Sequence, residues 1–535
     1  MAGTLNVRRS IADLQKDYDS GNKAPLEKLM RAWKAIKELP VEHPDSFFTI
    51  GGFHGEPFRG KGAIDSAWWG GYCQHGTVLF PSWHRAYLWR LEKALQKVPG
   101  CADVMLPFWD ECHEDSQKMG IPRALTDETF VLDGIEIPNP LRSFVLPVAI
   151  VDKVKDDPVV YSKPAGYETV RYPLSGLLGT AKDEAATKAH NAQFPDYERN
   201  VGYLNDNIAT WLGGRIRIDG KWFGEVHNKF LGCLDAPNYT IFSNTTSAGA
   251  YNNAHRTKLV PLEAPHNYMH LAVGGFEYPG NGDFDAAPGA NGDMGENDTA
   301  GLDPIFFFHH CFIDYVFWIW QRRHGATDGF TIAAGDPGTR FSSDFPPPAG
   351  MEPGDTLDMK TPLEPFSKSN GSGKTTTNDV VNIEKQLGYT YGPGSLDAFA
   401  QPPKAESMLA TTVPIETGRR LHISRINRAR IRGSFLISAF ANVDGRREYI
   451  GTEAVLSRWH VEGCMNCMNH LEATATFRLP LIADQTPLPA TGVEVEVRTR
   501  GGLLGGRAHT PKSATASPTA LSAEAGEAPF LVEVT

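Results

Sequence analysis

Several things are scarce in this chain of 535 residues, and each scarcity removes a class of function. No apolar run reaches the roughly 18 residues that a membrane-spanning helix needs, so no membrane partner is expected. Basic residues are outnumbered, 52 Lys and Arg against 63 Asp and Glu, and the resulting net charge of −11 offers nothing to attract a nucleic acid. Cysteines number only seven, odd and scattered, too sparse for a secreted disulfide scaffold. The opening stretch MAGTLNVRRSIADLQKDYDSG has no apolar segment of signal-peptide length. Together these lead to the expectation of a cytoplasmic protein with mostly reduced cysteines, in which sequons at Asn238, Asn244 and Asn297 are chance matches. No HExxH motif and no internal repeat occurs.

What is present divides the chain in two, as its length requires. Residues 1 to about 330 mix aromatic-rich helical patterns with Gly/Pro/Asn loops. Leu29, Trp33 and Ile36 share one side of an early helix, a second helix follows Phe80-Pro81, and a third follows Asp303-Pro304. From about 331 to 410 a stretch rich in Pro, Gly, Ser and Thr reads as surface loop and linker. Beyond about 415, period-2 runs such as Ala473–Phe477, Val493–Val497 and Phe530–Val534 predict a small antiparallel β domain. The expected division is a mainly α domain over 1–400, including the linker, and a β domain over 401–535 with a mobile tail segment at 505–528.

Histidines concentrate in two places. His54, His75 and His84 lie close together among Trp and Phe; Pro81 suits a helix first turn, and His84 shares a face with Tyr87, Leu88, Leu91 and Leu95. In LEAPHNYMH, His266 and His270 stand at i, i+4, so both rings leave one helix face and can reach one metal. Further on, DPIFFFHHCFID has Asp303 as a cap and Pro304 at the first helical position. His309 and His310 point about 100° apart, so at most one of them can join the pair. Asp314 shares a face with His310 and is placed to orient its ring N–H. Six imidazoles without an obvious carboxylate ligand favour copper, zinc, iron or nickel over magnesium or calcium, and two three-histidine sets suit a copper pair. The residues alone reach a binuclear metal site and stop there.

The motifs WWGGYCQHGTVLFPSWHRAYL, PLEAPHNYMHLAVGG and LDPIFFFHHCFIDYVFWIWQ resemble the two copper-binding regions of tyrosinases, which are type-3 copper proteins. GANGDMGENDTA and SRWHVEGCMNC extend the likeness, and the arrangement is similar to the fungal Aspergillus type made as a proenzyme with a C-terminal covering domain. The resemblance implies a four-helix bundle holding two copper ions beneath a β-sandwich-like lid. His54, His75 and His84 would bind the first copper, and His266, His270 and His310 the second, with O2 as cosubstrate. It implies a thioether from Cys73 to the His75 ring, and a water held by Glu263 and Asn267 that helps deprotonate a phenol. The alternative reading of Glu263 is a carboxylate favoured by the first turn of its helix. Implied substrates are small phenols and catechols, hydroxylated at the ortho position and oxidised to o-quinones.

Cys464 and Cys467 form a CxxC without the βαβ context of a redox motif. A zinc knuckle with His460 and His470 is one reading; a transient copper-loading site is the one that the resemblance implies. The resemblance also implies latency, with a lid side chain over the metals; Val455, Leu456 and Trp459 are the candidates. Rival functions are a catechol oxidase lacking the hydroxylation step and a haemocyanin-like O2 carrier. Eleven tryptophans are compatible with a homo-oligomer without showing one.

Overall fold

The computed structural model describes residues 5–55, 71–151, 161–213, 216–218, 221–223, 225–278, 290–341, 351–402 except 353 and 369, 419–479 except 444, 462, 463 and 469, 493–504 and 530–534, with three two-residue strands between 508 and 527. The tail expected at 505–528 otherwise lies outside these residues. In the N-terminal part, α1 (Ile11–Asp19), α2 (Ala24–Lys37), α3 (Phe47–Gly52) and α4 (Phe80–Gln96) are followed by α5 (Tyr197–Gly213), α6 (Glu225–Cys233), α7 (Thr245–His255), α8 (Glu263–Gly274) and α9 (Ile305–Arg323). Local chemistry sets the boundaries. The hydroxyl of Ser10 caps α1, the side chain of Asn244 caps α7, and Pro81 lies in the first turn of α4.

Helix α9 is the axis. Every residue from Ile305 to Gln321 is buried, so the helix is apolar all round and must be surrounded. Helix α4 lies along it, α2 packs on α4 and presents Trp33 to Phe307 and Phe308 of α9, and α8 closes the bundle against α5 and α6. The predicted face of α2 is borne out: Leu29, Trp33 and Ile36 are fully buried.

The stretch expected as a loose linker departs from that reading over 351–402. Leu357, Leu363, Val380, Ile383 and Leu396 are buried there. Backbone carbonyls of the segment accept from α4: that of Glu364 from the Trp83 indole at 2.7 Å, and those of Val380 and Val381 from Arg85 at 3.0 and 2.9 Å. Strand β1 (Asn6–Arg8) pairs in parallel with β2 (Tyr389–Tyr391), tying the segment to the N-terminus. Pro and Gly content describes the shape of a chain, not its depth of burial; the scattered Leu, Val and Ile carry that information.

The C-terminal unit is an antiparallel sandwich. One sheet holds β3 (Arg420–Asn427) between β6 (Glu472–Arg478) and β8 (Leu531–Val534). The other holds β4 (Phe435–Val443) between β5 (Arg446–Val455) and β7 (Val493–Thr499). Ala473, Ala475, Phe477, Val493, Val495 and Val497 point inward, the alternation that the sequence predicts. Leu436, Ala454 and Leu456 instead join the core of the helical part, so the sandwich docks with apolar contact.

Candidate metal centre

Each predicted metal-binding histidine is carried by an element that its own segment forms. His54 follows α3, whose last residues are small enough for close approach: a Cβ on Gly51 would sit 2.5 Å from the carbonyl oxygen of Gly301. His84 lies one turn into α4, and its Nδ1 donates to the carbonyl of Phe80 at 2.8 Å. His75 comes from the loop before α4. These three rings gather with centroids 5.1, 5.2 and 5.7 Å apart.

In the second set, His266 and His270 project from one face of α8, as the i, i+4 spacing requires. The Nδ1 of His270 donates to the carbonyl of Met294 at 2.8 Å, and Nδ1 of His266 pairs with Oδ1 of Asn267 at 2.9 Å. Their Nε2 atoms lie 3.1 and 3.2 Å from Nε2 of His310. The two sets face each other, with His84 stacked 4.4 Å from His310.

This donor arrangement fits two soft-to-borderline cations. A carbonyl can only accept, so the rings of His54, His84 and His270 are protonated at Nδ1 and offer a lone pair at Nε2. The buried Nε2 atoms of His54, His75 and His84 have no hydrogen-bond partner. Burial pushes every ring in both sets below the ordinary histidine range, His84 to about 3, so all are neutral and ligand-ready at neutral pH. Lone pairs converging within a dry pocket repel unless a cation lies between them.

His309 belongs to the cluster more closely than the sequence suggests. It groups with His266, His270 and His310 with ligand atoms within 4.8 Å of one another, and its Nδ1 is held by Oε1 of the buried Glu111 at 2.5 Å. His310 remains the member whose Nε2 approaches both His266 and His270. Glu111 went unread in the sequence; its only signal is an acidic pair, Asp110-Glu111, inside the apolar run Leu106–Cys112.

The predicted partnership of Asp314 with His310 is not formed. Asp314 accepts from Arg85 at 2.5 Å and from the hydroxyls of Tyr389 and Tyr391 at 2.6 Å each. Two buried arginines, Arg8 and Arg85, outbid a neutral ring for a buried carboxylate.

Cys73 is buried and free, with Sγ grouped within 4.8 Å of ligand atoms of His54 and His75. Glu263 is buried at the start of α8. Its Oε1 accepts from the amide of Gly76 at 2.7 Å, and its Oε2 from the amide and hydroxyl of Thr245, both at 2.9 Å. Burial raises its pKa against these hydrogen bonds.

The C-terminal unit reaches the histidines through Asn466, which the sequence did not single out, and through His470, read there only as a candidate zinc ligand. Nδ2 of Asn466 donates to the carbonyls of His75 at 2.8 Å and Cys73 at 3.3 Å. His470 packs on Gly76, where a Cβ would lie 2.7 Å from its ring. Among the lid candidates, Trp459 packs against Tyr161 and donates its amide to Asp298, Leu456 enters the helical core, and Val455 lies against the sandwich core. Cys464 and Cys467 are joined as a disulfide, so they do not hold a zinc ion with His460 and His470; this pair departs from the expectation of reduced cysteines. His470 instead pairs with Thr246, and His460 with Arg432.

Two histidine triads on a helical bundle, each ring braced through its far nitrogen or packed against its neighbours, define a binuclear copper protein. The family described as the common central domain of tyrosinase matches residues 44–323. The chain is 50% identical over 503 residues to a tyrosinase of Hahella sp., covering 90% of this chain and 89% of that one. It is 44% identical over 510 residues to a tyrosinase of Aspergillus oryzae, covering 88% of each. The structure of a tyrosinase from Burkholderia thailandensis at low pH superposes with a TM-score of 0.80 at 49% identity, covering 93% of this chain and 96% of that one. The chain belongs to the tyrosinase family and is a copper-dependent phenol oxidase that uses two copper ions and O2.

Proposed function

We propose that this phenol oxidase carries out both tyrosinase steps, ortho-hydroxylation of a monophenol and oxidation of the resulting catechol to an o-quinone, with O2 reduced to water. The copper pair supplies O2 activation and accepts the electrons. The chain's own residues supply position and a proton acceptor. Glu263 carries the reading: a buried carboxylate bound to the amide next to His75 while it opens the helix that carries His266 and His270. Of the three donors that it binds, two are on Oε2 and one is on Oε1, so Oε1 keeps acceptor capacity, and burial lifts the proton affinity of the group toward that of a base. With Asn267, which steadies the ring of His266, it would hold the water that removes the phenolic proton. Glu263→Gln is expected to lower monophenol turnover by roughly 100-fold and catechol turnover far less. Equal losses on both substrates would remove the assigned role, and catechol turnover alone in the unaltered enzyme would favour the catechol-oxidase reading.

Three further roles belong to the same proposal. The C-terminal unit keeps the enzyme latent, supported by the contacts of Asn466 and His470 with the His75 loop; cleavage within residues 403–418 should then raise activity. Cys73 is cross-linked to the His75 ring on maturation, which a mass shift of −2 Da per link would report. Cys464 and Cys467, once reduced, pass copper inward. The protein acts in the cytoplasm on small phenols and catechols.

A further inference from the structure

The segment Asp293–Thr299 runs between the two copper half-sites and the C-terminal unit, and it is bonded to all three. Its backbone serves the histidines. The carbonyl of Asn297 accepts from Nδ1 of His54 at 3.3 Å, and that of Met294 accepts from Nδ1 of His270 at 2.8 Å, one ring in each triad. Its side chains carry three buried carboxylates within six residues, and each has its own cation. Asp293 pairs with Lys163 of the helical part at 2.6 Å. The other two are answered from the sandwich: Glu296 by Arg500 at 3.1 Å and Asp298 by Arg458 at 3.0 Å. All four groups of these last two pairs are 5% exposed or less.

Arg500 does more than neutralise a charge. Its Nη1 donates to the carbonyl of Ala290 at 2.9 Å, and its Nη2 to that of Gly295 at 3.2 Å. It also reaches the carbonyls of Gly274 and Gly275, each at 3.5 Å, where α8 ends. A cation suits that helix end, and a planar fork suits four carbonyls in one corner. Space was made for this approach: a Cβ on Gly274 would lie 1.7 Å from the amide nitrogen of Gly295, and one on Gly275 would lie 2.8 Å from Arg500. On the other side, the amide of Asn297 donates to the carbonyl of Ser457 at 3.2 Å, and the amide of Trp459 donates to Asp298 at 2.9 Å.

We infer that Arg458 and Arg500 are positioning residues for the dicopper centre: the C-terminal unit holds the 293–299 segment so that its carbonyls fix the rings of His54 and His270. The unit is thus a structural part of the metal site as well as its cover. A simpler role, fastening the unit to the helical part, would give different results. If these pairs only fasten, breaking them opens the site to substrate and leaves the hold on copper unchanged. If they position, breaking them weakens that hold while the unit is still attached. This inference needs the copper pair and does not depend on latency or on the choice of phenol.

The test uses the full-length copper-loaded protein with Arg458→Gln, Arg500→Gln, Arg500→Lys and, as a control, Tyr268→Phe. The hydroxyl of Tyr268 donates to the carbonyl of Thr452, so the control loosens the docked sandwich away from 293–299. Two quantities are read: the rate of copper transfer to a chromogenic chelator, and hydrogen exchange of the amides from 294 to 300. Each Gln variant is expected to release copper about 10-fold faster or more, the scale on which groups that orient ligands act, with faster exchange in the segment. Arg500→Lys, which keeps the charge and loses the fork, should fall between them and the parent; Tyr268→Phe should match the parent. Parental release and exchange in both Gln variants would overturn the inference. So would equal acceleration in Tyr268→Phe, which would assign the effect to loosening alone. Should the Gln variants fail to fold, Arg500→Lys decides by itself: parental values in both measurements overturn the inference.

Discussion

The two histidine triads hold equivalent ions with unequal help from the local chain. In the second, one helix face delivers His266 and His270, and the buried stretch of α9 delivers His310. Helical geometry places His266 and His270 on one face before any distant contact forms. The first triad draws His54 from beyond a six-residue helix, His75 from a loop and His84 from α4. It is completed by remote groups: the carbonyl of Asn297 on His54, and Asn466 of the sandwich on the backbone of His75. A metal site can therefore be half prefabricated and half assembled; the C-terminal unit bonds the assembled half directly through Asn466 and reaches one ring of each half through the 293–299 segment.

Removing one ligand from each half gives the largest expected effect. His270→Ala and His75→Ala should each lower the copper count from about two to about one per chain and cut phenol oxidation on the order of 1000-fold, since the metals supply several kcal/mol of activation. Elemental analysis and initial rates check this. If both substitutions empty both positions, the halves are not independent and the comparison breaks.

Acid is the next lever and should strike both halves of the apoprotein together. His84, a member of the first triad, and His309, beside the second, are both pushed by burial from 6.5 to about 3. The unfolded chain binds protons there that the folded chain refuses, so the stability they represent is present above 6.5 and is lost as pH falls toward 3. Glu296 acts oppositely: burial raises it from 4.5 to about 7, so its contribution is present below 4.5 and lost as pH rises through 7. For these groups together the fall in the urea midpoint should be steepest below about 4.5, amounting to a few kcal/mol. A flat midpoint between pH 6 and 3 would show that the rings are not held neutral.

A smaller effect separates the halves. Asn466→Ala removes both side-chain bonds to the His75 loop and leaves α8 and α9 untouched. Copper at the first position should be lost about 10-fold more readily, with the second unchanged, as read by stepwise chelator titration. Equal loss at both positions would mean that Asn466 acts on the centre as a whole and not through the His75 loop.

Much of this was legible in the chain. The i, i+4 histidine pair, Pro81 in its first turn, the inward face of α2 and the alternation of β6 and β7 are short-range patterns, and each survived. The errors share one cause. Asp314 was paired with a neighbour on its own helix because that is the only distance a sequence displays; Arg8 and Arg85 arrive from elsewhere. Glu111, Asn466 and the sandwich arginines escape the sequence for the same reason, and the part of the 331–410 stretch that is buried, within 351–402, reads as linker because its buried residues do not repeat with a period.

By itself, then, the sequence determined the main helical and strand patterns and two clusters of histidines, because hydrophobic periodicity, capping and ligand type are properties of neighbouring residues; the six ligands and the copper chemistry came with the resemblance to tyrosinases. Only the tertiary structure decided which far nitrogen each ring engages, which carboxylate holds His309, and that Asn466, Arg458 and Arg500 reach the site from the other unit. Those choices depend on buried polar groups finding partners once water is excluded, and the partners are chosen by packing in space, not by spacing along the chain.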